Sequence, residues 1–505
     1  MGPIRASGRP RGAVPTTMII HVNHMEPAAI PAPVGARAAE VVRTLLGLVA
    51  AGHGDPRLLP SLRVHLDWIQ YRANFREPVT VRRAADGSGG PLALAELAVD
   101  LRRVEPAGLG EALAKALGEV ADASESDPDG APVLEEWTPI RDSVIWRFNR
   151  LFWERVADWE AASGRGFEEA LPSGRSDASR PEAVADAVAD FWTLLRDLEK
   201  KGQLPPELFT LEIGVGSGQR AALWLDRFRA LDEERGTSYY RGLRFLLGDY
   251  SLPTLDRAMA AVSAHRDLVS VIPLDALNPL KTLSFLRYKI LYIHLTNVYD
   301  NLPHDEVVRR DGRLYLVETR GYIPPAAAAR AAAIAGVPVG DLARTIEQLL
   351  RGGPEALGDR ACGVEFWRAA WDGLHLEERL VGLEDVSQVP LAPGLDQSHL
   401  EDLLADAPDD VRFHLSRGAA ESFVHTVPLL HPRGYLQVQD IFVADMREYR
   451  QGFRGPGKLD GSVVNWVNGA LLRAVGARTG FDVHFAPFRY RPGSRTSILY
   501  TTPRD

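Results

Sequence analysis

From residue 208 onward, short apolar blocks alternate with stretches whose apolar residues recur every three or four positions. The blocks 208–213, 243–248, 268–272 and 289–296 read as strands, each followed by a helix, which predicts an α/β fold with a parallel sheet covered on both faces. A fifth block falls much later, at 434–440, and the blocks 481–488 and 496–501 read as a terminal antiparallel pair. Upstream, helical spacing at 145–159 and at 181–198, the latter opening on Pro181 and Glu182, predicts two helices that lead into the first strand. Residues 18–125 read as a helical region with amphipathic runs at 41–49 and 92–101, broken by the Gly-rich 86–90. The Asp-, Ser-, Pro- and Gly-rich 121–131 reads as a linker, 173–181 as a second loop, and 1–17 as a disordered leader.

The first strand ends in Leu211-Glu-Ile-Gly-Val-Gly-Ser-Gly218, a tight turn before a helix. A strand, a Gly-rich turn and a helix N-terminus let backbone press against a ligand, with amide N–H groups and the positive dipole end aimed at it. A dinucleotide fingerprint needs a third Gly three positions after the second, where this chain has Gln219, so NAD fits poorly. The pattern Glu212-x-Gly214-x-Gly216-x-Gly218 instead resembles motif I of class I S-adenosylmethionine (SAM) methyltransferases. That resemblance implies a Rossmann-like, seven-stranded, mostly parallel sheet, with 434–440 rather than 313–318 as its fifth strand.

The same resemblance implies an acid at the second strand end for the ribose hydroxyls, and Asp249 stands there with Tyr250 and Ser251 behind it. At the third strand end, Asp275 and Ala276 stand where a group near the adenine amino nitrogen belongs. Asn297, Tyr299, Asp300 and Asn301 follow the fourth strand, where the transferred methyl is expected to lie. Asn297, Asp300 and Asp440 are the candidate catalytic residues. Glu212, Gly214, Gly216, Gly218, Asp249, Tyr250, Ser251, Asp275, Ala276 and Asn297 are the candidate SAM contacts. His294 reads as a satisfied core histidine and His304 as an exposed turn residue.

Asn297-Val-Tyr-Asp-Asn-Leu-Pro-His-Asp-Glu306, with Glu318 after it, resembles the Asn-Glu-x-x-Asp-x-Leu-Pro segment of the MidA-like SAM methyltransferases. Gly434-Tyr-Leu-Gln-Val-Gln-Asp440 is similar to that family's strand ending in Asp-Tyr-Gly, and 449–480 to its basic-Gly loop and following helix. The resemblance covers 140–321 and 421–505. It implies SAM as methyl donor and, for the mitochondrial relatives, methylation of an arginine on a respiratory complex I subunit during assembly. Three departures stand out: Val298 replaces the family's Glu, Ile441-Phe442 its Tyr-Gly, and motif I lacks its usual Pro and Arg. Loss of one carboxylate weakens the case for a guanidinium acceptor. The acceptor is therefore left as a protein side chain or a small metabolite, with a silent SAM-binding assembly factor and an NAD-linked dehydrogenase as the alternatives.

The domain plan that follows is a leader at 1–17, a helical region at 18–125, a methyltransferase core at 140–320 and 421–505, and a helical insertion at 321–420. The insertion follows the fourth strand, over the carboxyl ends of the sheet, and is a candidate substrate lid. The 505 residues suffice for two or three domains. With 58 basic and 67 acidic residues the net charge is −9, which disfavours a nucleic-acid partner. One cysteine, Cys362, excludes an internal disulfide framework and reads as a packed thiol in a reducing cytoplasm. The apolar stretches are too short for a membrane span. No metal site is expected, since the His21 and His24 pair has no further ligands near it in sequence.

Overall fold

A computed structural model of the chain describes residues 19–23, 32–54, 62–69, 71–86, 91–121, 130–171, 173–451 and 455–504. The expected leader, the middle of the 121–131 linker, the His21 and His24 side chains and residues 452–454 of the basic-Gly loop lie outside the described residues.

The seven strands expected from the apolar blocks all form, and they pair into one sheet. Its order is 481–487, 497–503, 430–440, 290–296, 208–213, 243–249, 269–273. All neighbours are parallel except the two pairings made by Ser497–Pro503. This is the strand order and direction of the class I methyltransferase fold. The order reverses between Leu208–Ile213 and Ile290–Thr296, which opens a crevice at their carboxyl ends. Helices cover both faces. Pro181–Lys200, Gln219–Arg235 and Leu252–Ala261 bury Val188, Phe191, Trp224 and Leu255 against Phe245 and Leu247 on one face. Arg417–Thr426 and Gly469–Arg478 bury Phe423, Leu472 and Val475 against Leu246, Ile293 and Leu295 on the other.

A second sheet was not anticipated. Its order is 19–23, 62–67, 91–100, 79–85, 375–383, 313–322, 305–310, 411–415, with the short Thr138–Pro139 pairing alongside Arg313–Tyr322. The N-terminal region and the insertion are therefore joined in one mixed sheet, through the pairing of Val79–Ala85 with His375–Leu383. The region read as helical keeps helices at Ala32–Ala50 and Leu109–Ala121 but also carries four strands. The run 92–101, read as an amphipathic helix, is the strand Pro91–Asp100. Residues 95–100 are buried on both faces, so period-two alternation is erased and helix-forming Leu, Ala and Glu dominate the local pattern. The chain leaves the seven-stranded sheet after Thr296 and enters the second sheet at Asp305 rather than near 321, because the hairpin 305–322 belongs to the second sheet.

The insertion's helices Pro325–Ala335, Leu342–Gly352 and Arg360–Gly373 pack on Val144–Glu154 and Val156–Ser163, burying Trp159, Trp367 and Trp371. The single helix expected at 145–159 is thus two, divided at Arg155. Cys362 is half-buried with its Sγ 3.2 Å from the Ile334 carbonyl, a packed thiol. No single helix among the described residues is long and apolar enough to cross a membrane.

Candidate functional site

The turn at 214–218 lies at the mouth of the crevice. Gly214, Gly216 and Gly218 all have positive φ, 74°, 52° and 75°. Two of them are also tight. A Cβ on Gly214 would stand 2.5 Å from Val298 Cγ2, and one on Gly218 would stand 2.6 Å from the Ala258 backbone. A Cβ on Gly216 would meet nothing within 4 Å, so the centre of the turn faces open space. The turn is anchored by Gly214 N–H donating to the Gly248 carbonyl (2.8 Å), and Ser217 Oγ donates to Glu168 of the preceding Phe167–Ala170 helix (2.7 Å).

Asp249 ends the second strand, where the backbone N–H groups of Ser251 (3.0 Å), Tyr250 and Val215 face its carboxylate. The Val215 contact joins this acid to the Gly-rich turn. Burial pushes Asp249 up to about 6, with those three N–H groups opposing the shift. Ser251 is buried and accepts from Thr254 Oγ1 (3.0 Å), while Tyr250 is 38% exposed at the rim. Asp275 is exposed beyond the third strand, where its Oδ1 accepts from Leu277 N–H (2.9 Å), and Ala276 beside it is half-buried.

Glu212 turns inward. Its Oε2 accepts from Arg220 Nη1 (2.7 Å), and Arg220 Nη2 donates to the Tyr292 hydroxyl (2.8 Å). Tyr292 in turn donates to Gln437 (2.8 Å), and the His294 ring stands 3.0 Å from Gln437 and 2.6 Å from Thr296. Burial raises the Glu212 pKa against the pull of Arg220 and drives that of His294 far down, leaving a neutral core histidine. This network braces the strand ends beneath the crevice. Arg220, eight residues after Glu212 and the second residue of the helix Gln219–Arg235, carries no sequence signal beyond its charge.

Asn297 ends the fourth strand with φ 49°, a left-handed conformation that Asn tolerates better than most residues. Its N–H donates to the Gln439 carbonyl (3.0 Å), and its carbonyl accepts from Asn301 Nδ2 (3.1 Å). Asp300 and Asp440 are brought together here, both buried. Asp440 accepts from the N–H groups of Tyr299 (2.9 Å), Asp300 (3.2 Å) and Ile441 (2.8 Å), while Asp300 accepts from Asn301 Nδ2 (2.8 Å). Burial, then the charge of Asp440, raises Asp300 well above the carboxylate range, and burial raises Asp440. Two carboxyls buried side by side resist carrying two negative charges at once.

Two features of this end of the site were not legible. Tyr71, from the N-terminal region, packs over Gly457, and its hydroxyl is held protonated by burial and by the nearby charges of Asp300 and Asp440. His304, expected on an exposed turn, is 1% exposed between Trp146 and His414. It is covered by the strand Val411–Leu415, which pairs with the chain just after it.

No protein-family model and no curated protein matches the chain. Solved structures that resemble it include a suggested methyl transferase from Burkholderia thailandensis bound to S-adenosyl-homocysteine, 12% identical, covering 72% of this chain and 88% of that one at a TM-score of 0.44. The CcbJ methyltransferase from Streptomyces caelestis is 11% identical over 67% of this chain and 96% of its own, with a TM-score of 0.30. The 1,6-didemethyltoxoflavin-N1-methyltransferase of B. thailandensis is 7% identical over 75% and 99%, with a TM-score of 0.31.

Proposed function

We propose that the protein is a SAM-dependent methyltransferase. The observation that carries the reading is the Gly214–Gly218 turn, open at Gly216 and tied through Val215 to the half-buried Asp249 carboxylate, at the point where the sheet order reverses. In this reading Asp249 accepts the two ribose hydroxyls, with Tyr250 and Ser251 at the adenosine and Asn297 toward the methionine end. Bound SAM supplies an activated methyl on a sulfonium. The chain's own task is to hold an acceptor atom in line with that methyl and to keep water out. Helix Val144–Glu154 and the Tyr71 segment close the acceptor end, where Trp153 Nε1 and Asn149 Nδ2 donate to Asn301 (3.1 and 3.0 Å). Asp300 and Asp440 are the groups there that could accept or orient an acceptor's proton. The acceptor is a protein side chain or a small metabolite in this reading.

A second reading is a SAM-binding assembly factor without turnover, favoured by Val298, whose side chain sets a methyl group against Gly214 where the resembling family has a carboxylate. SAM binding with no methyl transfer into any fraction of a cell lysate would support it over the enzyme.

The titration of Asp249 gives a test by pH. A diol donates two hydrogen bonds to a carboxylate only when it is ionised. SAM affinity is therefore expected to be level above pH 7 and to fall by about tenfold per pH unit below pH 6. The unliganded protein behaves oppositely. A carboxyl raised from 3.8 to about 6 by folding opposes folding above pH 6, and that penalty is relieved as pH falls toward 4. Calorimetric titrations across this range should show the dependence, with Asp249→Asn flat; an unchanged slope in that variant would assign the titration to another group.

A further inference from the structure

We propose that His304, Glu306 and His414 form a binding site for one divalent transition-metal ion of the zinc type. Glu306 and His414 stand directly opposite each other on the antiparallel strands Asp305–Arg310 and Val411–Leu415, so their side chains share a face. His304 lies two residues before Glu306 and meets it from the same side. Their ligating atoms lie within 4.8 Å of one another, and all three residues are at most 2% exposed. Nε2 of His304 is 3.4 Å from Glu306 Oε1, and Nε2 of His414 is 3.9 Å from the same oxygen. Ligands on a tetrahedral zinc ion stand roughly 3.3–3.6 Å apart, so the His304–Glu306 edge already fits, and closing the site draws His414 inward by up to about an ångström.

The surroundings favour an ion over a simple hydrogen-bonded cluster. His304 Nδ1 lies 2.8 Å from the Asn465 amide, and His414 Nδ1 lies 3.3 Å from the Tyr449 hydroxyl. If Asn465 presents its nitrogen to His304, its own Oδ1 is left buried with no hydrogen-bond partner, on a residue 2% exposed. With the amide turned end for end, Oδ1 accepts from the Nδ1–H of His304 and the Nε2 lone pair faces Glu306, the tautomer a metal ligand requires. Arg412 engages the second oxygen of Glu306, leaving Oε1 toward the two imidazoles. Arg412 is itself balanced on its far side by Glu378, through two bonds of 3.0 Å. Two imidazole nitrogens and one carboxylate oxygen suit zinc, with water in the fourth position. The ion would brace the loop that carries Asp300 and Asn301 against the strand Val411–Leu415, a structural role independent of the proposed methyl transfer.

The test uses the full chain, stripped with a chelator and titrated with zinc against a chromophoric competitor, alongside cobalt substitution read by visible absorption. One equivalent of zinc is expected, with cobalt bands typical of nitrogen and oxygen ligands. His304→Gln together with His414→Gln should abolish uptake, and Asn465→Leu should weaken it tenfold to a hundredfold. The cobalt spectrum needs no variant and stands even where the double variant fails to fold. A wild-type chain that takes up neither ion overturns the proposal. So does a double variant with native far-ultraviolet dichroism that still takes up its equivalent.

Discussion

Replacing Glu378 by alanine is expected to destabilise the protein by about 3–5 kcal/mol, the range seen when one partner is removed from a buried ion pair. Glu378 is buried in the second sheet, where Arg412 binds it through two bonds of 3.0 Å and Arg82 Nε lies 2.5 Å from its Oε2. Arg82 also reaches Glu96 (3.0 Å), which Arg310 engages at 2.7 Å, so the charges run as one row across strands from the N-terminal region and the insertion. Alanine would leave guanidinium groups without their shared carboxylate in a site closed to water. The contrast is Glu347→Ala: its pair with Arg147 is solvent-exposed, so the loss should stay below about 1 kcal/mol. Urea melts of the two variants measure both numbers, and equal small losses would mean that the row carries no net stability.

The same carboxylate sets an acid limit. Burial alone would raise its pKa, but Arg412 and Arg82 overcome it and hold Glu378 down at about 2. A depressed carboxyl stabilises the fold above its unfolded value near 4.5, and that contribution is lost as pH falls from there toward 2.

The second large effect is expected at the Gly-rich turn. Gly218→Ala should cost about 2–5 kcal/mol, from a left-handed backbone at φ 75° and from a Cβ driven to 2.6 Å from the Ala258 backbone, which has no side-chain freedom to yield. Gly216→Ala meets no neighbour, so its stability cost should be only the backbone strain, about 1 kcal/mol. Its methyl group enters the space proposed for the cofactor, and SAM affinity should fall at least tenfold. Thermal melts with and without SAM separate the two. If Gly216→Ala binds SAM as the wild type does, the open face of the turn is not the cofactor's place.

The seven-stranded sheet was legible because each of its strands is a contiguous apolar block, and most are followed by a helix such as Gln219–Arg235 or Leu252–Ala261. Local pattern and global fold agree there. The second sheet was hidden because its pairings span the sequence: Arg379 lies opposite Arg83, and nothing within either segment announces the other. The strand Pro91–Asp100 lost its alternation to burial on both faces. Within the site, the glycines and Asp249 were readable from spacing, and the structure sets them side by side. Glu212 was readable as an acid at a strand end, but its engagement by Arg220 depends on the rotation of the following helix. Tyr71 and the buried setting of His304 depend on elements more than 100 residues away in sequence, the 457 loop and the 411–415 strand, so no local pattern could place them.

The central claim is that the 214–218 turn and Asp249 hold S-adenosylmethionine. Isothermal titration of the wild-type chain and of Asp249→Ala with SAM, S-adenosylhomocysteine and NAD tests it most directly. Binding of the two adenosyl-sulfur ligands is expected, with no heat from NAD and a loss of about 2 kcal/mol, roughly 30-fold, in the variant. Binding of NAD alone, or SAM affinity unchanged by Asp249→Ala, would contradict the account.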